Sequence, residues 1–305
     1  MADRRRYRNF VYDSARWDGF DLRAGDIVIS TPPKCGTTWM QMLCALLIFR
    51  TPELPAPLAQ LSPWLDMQTR PVADVLRDLD QQGHRRFIKS HVPLDGLPLD
   101  ARVTYVGVAR DPRDVAQSWD NHMANMNLER FMTTRIAAVG ADDLEELGVT
   151  GPPPAPPADP VERFWRWVEG TGLPDDVAGL ESLVGHIATF WDRVEEPNVA
   201  LFHYSDLRAD LPGQMARLAA CLGVDPPAAD LVQAATFSSM KERADELVPN
   251  SDTPFWRSNT AFFDRARAGE WKELLDAAGQ QRFDDALARV APPALASFLL
   301  RGWLG

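Results

Sequence analysis

In the stretch STPPKCGTTW, residues 30–39, a lysine, a glycine and two threonines have the types and spacing to hold an anion. Gly36 lets the backbone approach the ligand, Lys34 brings a mobile charge, and Thr37 and Thr38 bring hydroxyls. A helix opening at Thr37 would add unpaired N–H groups and the positive end of its dipole. In the common nucleoside-triphosphate loop the lysine follows the second glycine and directly precedes a hydroxyl. Here Lys34 comes before Gly36. A proline turn with threonine capping is the plainer alternative, and GTT alone would leave it ahead. Lysine, glycine and paired hydroxyls together favour anion binding.

A second cluster, IKSHVP (88–93), sets His91 two residues from Lys89, on the same face of an extended chain. A nearby cation keeps an imidazole neutral, as a general base requires. His84, His186 and His203 read as structural histidines. The third cluster, VGVARDPRDVAQSW (106–119), puts Arg110 where it can fork onto a phosphate. Ser118 follows one to two turns into a helix that Asp111-Pro112 would start. Of 32 basic residues only Lys34, Lys89, Lys241 and Lys272 are lysines, so each invites a functional explanation.

The elements that must position these residues are legible as four short apolar runs, at 26–30, 86–92, 103–109 and 198–204. Continuous rather than alternating apolarity suits strands buried on both faces. Helical patterns over 37–49, 72–82, 113–126 and 180–196 separate them, which predicts an α/β fold with a P-loop-like central parallel sheet flanked by helices. Ligands of such sheets bind beyond the carboxyl ends of the strands, where all three clusters fall. The 305 residues read as a single domain, with 140–179, which includes GVTGPPPAPPADP, as a surface excursion or cap near the site. Residues 240–263 have loop character and would cross the ligand.

A net charge of −11 argues against nucleic-acid partners and against anionic membranes, while leaving room for a small anion held by local donors. The longest apolar run, Met40 to Phe49, is too short to span a membrane. Three cysteines without a C-x-x-C, and no apolar stretch behind the N-terminal arginines, predict a cytoplasmic protein. No metal-ligand motif and no G-x-S-x-G occur, so neither a metal site nor an α/β-hydrolase is expected.

Taken together these segments resemble the cytosolic-type sulfotransferase family, in its bacterial branch. STPPKCGTTW is similar to the 5′-phosphosulfate loop usually written TYPKSGTTW, and KSHVP to the K-[TS]-H-x-P segment. YVGVARDPRDVAQSW resembles the 3′-phosphate segment, FHYSDLRAD and ATFSSMK the segments near the adenine, and FFDRARAGEWK the F-x-R-K-G-x-x-G-D-W-K segment. The matches run in family order from Asp26 to Lys272. The resemblance implies sulfuryl transfer from 3′-phosphoadenosine 5′-phosphosulfate (PAPS) to a hydroxyl or amine, releasing 3′-phosphoadenosine 5′-phosphate (PAP), without a metal.

On that basis His91 is the general base, Lys34 and Lys89 stabilise the leaving oxygen and the transferring group, and Ser118 touches the 3′-phosphate and restrains Lys34. Cys35 (through its backbone), Gly36, Thr37, Thr38, Trp39, Arg110, Tyr204, Thr236, Phe237, Phe263, Arg265 and Ala266 would complete the nucleotide site. SPWLDM nominates Trp64 and Leu65, and the helix after Arg110 nominates His122, for a phenolic, steroidal or lipid-like acceptor. Asp264 and Ala266 depart from the family's arginine and glycine. Asp276, Ala277 and Gln281 depart from its dimer signature, leaving the oligomeric state open. The rivals are a P-loop nucleotide kinase or phosphotransferase and a non-catalytic nucleotide-binding protein on the same fold.

Overall fold

The four apolar runs become strands buried on both faces: β1 (Ile27–Ser30), β2 (Phe87–Ser90), β3 (Thr104–Ala109) and β4 (Val199–His203). The structure, a computed structural model, describes residues 4–151, 155–170, 177–248, 255–263 and 268–305. The strands pair in the order β2-β1-β3-β4, all parallel, with Ser30 opposite Ser90 and Ala109 opposite His203.

Because successive strand residues point to opposite faces, the sheet divides the core in two. Ile27, Ile29, Phe87, Val106, Val108 and Phe202 face one side, where they pack on α1 (Thr37–Phe49). Ten of its thirteen residues are buried, so it is apolar nearly all round. Val28, Ile88, Tyr105 and Leu201 face the other side. Helix α2 (Val72–Gln81) adds Val75 and Leu79 to that second layer, and α3 (Pro112–Asn125) adds Val115 and Ala116. After α4 (Leu128–Val139), helix α5 (Pro160–Glu169) buries Phe164, Trp167 and Val168 in the same layer. The excursion expected over 140–179 therefore does not include α5, whose aromatic stripe is core. Helix α6 (Leu180–Trp191) stops short of Glu196, the residue before Pro197, where an α conformation is disfavoured.

Two features fix the frame of the site. At the entry to the sheet, the Arg86 guanidinium grips the Asp26 carboxylate through Nε (2.9 Å) and Nη2, both residues about 3% exposed. At the opposite end, the extended segment from Pro63 covers the outer edge of β2: Lys89 N donates to Pro63 O (3.0 Å) and Leu65 N to Lys89 O (3.4 Å). That pairing sets Trp64 beside Lys89.

Gly107 of β3 lies close under a helix. A Cβ there would stand 2.8 Å from Phe190 Cδ1 on α6. Gly107→Ala is expected to cost about 1–3 kcal/mol in urea unfolding. A loss below about 0.5 kcal/mol would mean that the Phe190 ring has room to retreat.

Candidate active site

β1 delivers the chain into a loop with two left-handed residues, Lys34 (φ 68°) and Gly36 (φ 103°). For lysine that backbone costs about 1–3 kcal/mol and is held by its surroundings. Gly36 is required twice over, by its φ and because a Cβ would meet Tyr204 Cδ2 at 3.0 Å. It caps α1 without a side-chain hydrogen bond, so the first amides of the helix point at the loop's concavity. Thr37 Oγ1 lies 2.6 Å from Thr31 Oγ1, tying the two ends of the loop together.

Arg110, at the end of β3, donates from Nη1 to Lys34 O (3.0 Å) and lays its guanidinium 4.4 Å from the Tyr204 ring centroid. Its Nε is buried and has no acceptor among the described residues. Leaving such a donor unpaired is costly, and an anion bound beside it would remove the cost. Trp39 meets Tyr204 edge-on at 5.2 Å and is pinned by Nε1 to Ala235 O (2.9 Å). An aromatic platform thus adjoins the loop.

His91 follows β2. Its Nδ1 lies 2.6 Å from Thr31 O, which can only accept, so Nδ1 carries the proton and Nε2 keeps its lone pair. Burial first, then the Lys89 charge, hold this imidazole neutral well below the usual histidine range. Lys89 is itself buried, 4.1 Å above the centroid of Trp64, and burial brings its ammonium down to about 7. Asp66 pulls that value up and Lys34 pushes it down. Trp64 also meets His91 edge-on at 4.6 Å.

Lys34 Nζ reaches His122 Nδ1 at 3.4 Å and lies 4.9 Å from the Phe262 centroid. His122 packs among Trp119, Trp256 and Phe262, and burial, with Lys34 next in weight, keeps it neutral. An imidazole that accepts at Nδ1 presents an N–H at Nε2, the reverse of His91.

Most of the residues singled out from the sequence line one cavity of about 1220 Å³: Lys34, Gly36, Thr37, Thr38, Trp39, Trp64, Lys89, His91, Arg110, Ser118, His122, Tyr204, Phe237 and Phe263. Three do not. Cys35 is wholly buried under the loop, its N–H turned back on Pro32 O (3.4 Å) and its thiol pushed up to about 12 by burial. Leu65, expected at the acceptor, is in the core, because the pairing that turns Trp64 to the cavity turns its neighbour away. Thr236 caps the turn Phe237–Glu242 and bonds Ser239 and the Gln233 carbonyl. Arg265 and Ala266, with Asp264, lie outside the described residues.

The sequence reading missed Asp66. This fully buried carboxylate accepts from Trp17 Nε1 (2.9 Å), Trp64 Nε1 (2.5 Å), Ser90 Oγ (2.5 Å) and the His91 amide (3.5 Å). The available signal was a lone acid in the aromatic stretch SPWLDM. The cavity also has an apolar arm, formed by Phe131, Met132 and Ile136 of α4 with Leu144, Leu147 and Val149.

A family model for the Sulfotransferase domain matches residues 24–292. The chain belongs to the sulfotransferase family. It is 42% identical, over 321 residues covering all of this chain and 97% of the relative, to a glycolipid sulfotransferase of Mycobacterium bovis (strain BCG). Sulfotransferase 1E1 of Bos taurus is 22% identical over 297 residues, 91% of this chain and 87% of the relative. Among solved structures, retinol dehydratase in complex with androsterone and the inactive cofactor PAP superposes with a TM-score of 0.67. That match has 18% identity and covers 93% and 89% of the two chains. Mouse sulfotransferase SULT7A1 complexed with PAP gives 0.66 at 16% identity, over 93% and 90%. This sulfotransferase thus shares the parallel-sheet fold of both, and it is an enzyme of sulfuryl transfer. No helix among the described residues is long and apolar enough to cross a membrane.

If His91 and Lys89 act in the transfer, their two depressed pKa values predict an asymmetric pH profile for the free enzyme. His91 stays neutral to well below pH 6.5, so kcat/KM is expected to hold its plateau on the acid side. Lys89 is charged below about pH 7 and loses its proton above, so kcat/KM falls as pH rises through that value. In Lys89→Arg the group stays charged, and the alkaline fall should disappear even if the plateau is lower. An unchanged alkaline limb in that variant would remove Lys89 as its source.

Proposed function

We propose that this sulfotransferase carries the sulfuryl group of PAPS to a hydroxyl of a glycolipid, with His91 as the general base. The observation that carries the proposal is the bond from His91 Nδ1 to Thr31 O. It leaves the Nε2 lone pair as the proton acceptor and ties the base to the root of the anion loop. A proton taken there passes from the acceptor hydroxyl to Nε2 as the oxygen bonds to sulfur and the sulfur–oxygen bond to the nucleotide breaks. Sulfuryl transfer, like phosphoryl transfer, is served mainly by placement and by neutralising charge on equatorial and leaving oxygens.

The residues fit an anionic donor. The α1 amides with Thr37 and Thr38 suit its 5′ end, the unpaired Arg110 Nε and Ser118 its 3′-phosphate, and Trp39, Tyr204 and Phe237 the base. Lys34 would neutralise the leaving oxygen and Lys89 the group in transfer. Ser118 and His122 occupy one face of α3 a turn apart, and Lys34 lies in hydrogen-bond reach of His122. For the acceptor, the apolar arm supports a lipid tail, and the His122 N–H beside it supports a sugar hydroxyl. The mycobacterial relatives named glycolipid sulfotransferases agree with that chemistry. The absence of a lysine after Gly36 counts against a nucleotide kinase.

The test is transfer of labelled sulfate from PAPS into a lipid extract by the native enzyme and by His91→Asn. Label is expected in a polar lipid fraction, with the variant slower by about 10²–10⁴-fold. Its PAP affinity should stay within about threefold, a change under 1 kcal/mol. Native-rate transfer by the variant would refute His91 as base. Label confined to apolar phenols or sterols would refute the glycolipid acceptor.

A further inference from the structure

We propose that Asp66 is a positioning residue of the transfer site: its carboxylate orients His91 and Trp64 and sets the surroundings of the Lys89 ammonium.

The argument begins with the edge of the sheet. The segment from Pro63 runs beside β2 as an added strand-like edge, with Trp64 opposite Lys89. Its next acid, Asp66, therefore reaches the last residue of β2, Ser90, and the His91 amide beyond it. Its four donors come from three separate places: the N-terminal Trp17, its own segment's Trp64, and the Ser90–His91 step. A buried carboxylate with this many donors is a rigid hub, because each bond restrains a different element. Through the Trp64 indole it sets the ring that lies under the Lys89 ammonium and against the His91 imidazole. Ser90 is locked in addition by donating to Asp66 while accepting from Val92 N (2.9 Å), so the turn carrying His91 cannot rotate freely.

The charges around Lys89 give the hub a second role. Lys34 is the neighbouring cation, and His91 and His122 are held neutral. Asp66 is the anion that acts on Lys89, although no carboxylate lies within ion-pair distance of it among the described residues. Arg16, the other cation near Asp66, spends its donors on the Leu65 and Arg70 carbonyls. Asp66 thus offsets the burial of Lys89 from one layer behind Trp64 without occupying the ammonium. That leaves the lysine's donors for the group in transfer. Burial raises the carboxyl of Asp66 itself above the ordinary range, against the four hydrogen bonds, so its charge depends on those donors staying in place.

The proposal rests on Lys89 and His91 serving the transfer, and its test reads Lys89 without turnover. With only four lysines in the chain, reductive 13C-methylation gives a spectrum in which Lys89 can be titrated beside the exposed Lys272 as control. In Asp66→Asn the Lys89 midpoint is expected to drop by at least about one unit, tenfold in proton affinity. Lys272 should not move. Asp66→Glu, which restores the charge, should recover most of the drop. Should Asp66→Asn fail to fold by near-ultraviolet circular dichroism, Trp64→Phe decides, with a smaller downward shift expected. A Lys89 midpoint unmoved in the folded variant overturns the proposal, as does a glutamate variant that behaves like the asparagine. Loss of PAP binding by the native protein would instead strike at the nucleotide assignment, and the lysine titration would remain readable.

Discussion

The register of β1 against β2 is the constraint on which the site depends. Ser30 stands opposite Ser90, and the next ladder bond runs from Thr31 N to Ser90 O (3.4 Å). The residues that follow, Thr31 in the anion loop and His91 after β2, are therefore brought side by side. One hydrogen bond then joins them and sets the tautomer of His91. A slip of one residue would turn Lys89 and His91 to the wrong face of the sheet. The register is protected from such a slip by the Asp26–Arg86 clasp where the two strands begin. Strand packing thus fixes His91, the proposed base, against the loop before any ligand is considered.

Charge is handled by a shared device. The protein carries a net −11, yet its site gathers Lys34, Lys89 and Arg110 around one cavity. Each of these cations lies over an aromatic ring: Phe262, Trp64 and Tyr204 respectively. A ring face offers about 0.5–2 kcal/mol to a cation and accepts no proton. A direct carboxylate would hold the cation harder and would also compete with an anionic ligand. Neither Lys89 nor Arg110 has an ion-pair partner among the described residues. Stacking on rings keeps such charges in place while leaving their N–H groups available, at the cost visible in the orphaned Arg110 Nε and the lowered Lys89.

Much of this was legible in the sequence because it is local. Each strand lies within its apolar run, α1 begins at Thr37 as its glycine and threonines indicate, and the loop, His91 and Arg110 follow directly on strands, with Lys89 inside β2. What escaped depends on contacts between distant segments. Asp66 is 24 residues from Ser90 along the chain and meets it only because the segment from Pro63 adds to the edge of β2. No periodicity announces that pairing, and the same pairing sends Leu65 into the core. His122 is nominated for the acceptor from the sequence, but its contact with Lys34 shows only once Lys34 crosses from another strand end. Helix α5 follows a proline-rich stretch and reads with it as part of the excursion, although its aromatic residues Phe164 and Trp167 pack in the core.

The measurement that bears most directly on the account is calorimetric titration of the protein with PAP, beside ADP and ATP, in the absence of magnesium. On the proposed reading the loop, Arg110 with its orphaned Nε, and Ser118 hold a nucleotide bearing a 3′-phosphate. The expected result is binding of PAP at least about a hundredfold tighter than either competitor, close to 3 kcal/mol. Equal or tighter binding of ATP would contradict the account, since the loop would then be serving a 5′-triphosphate.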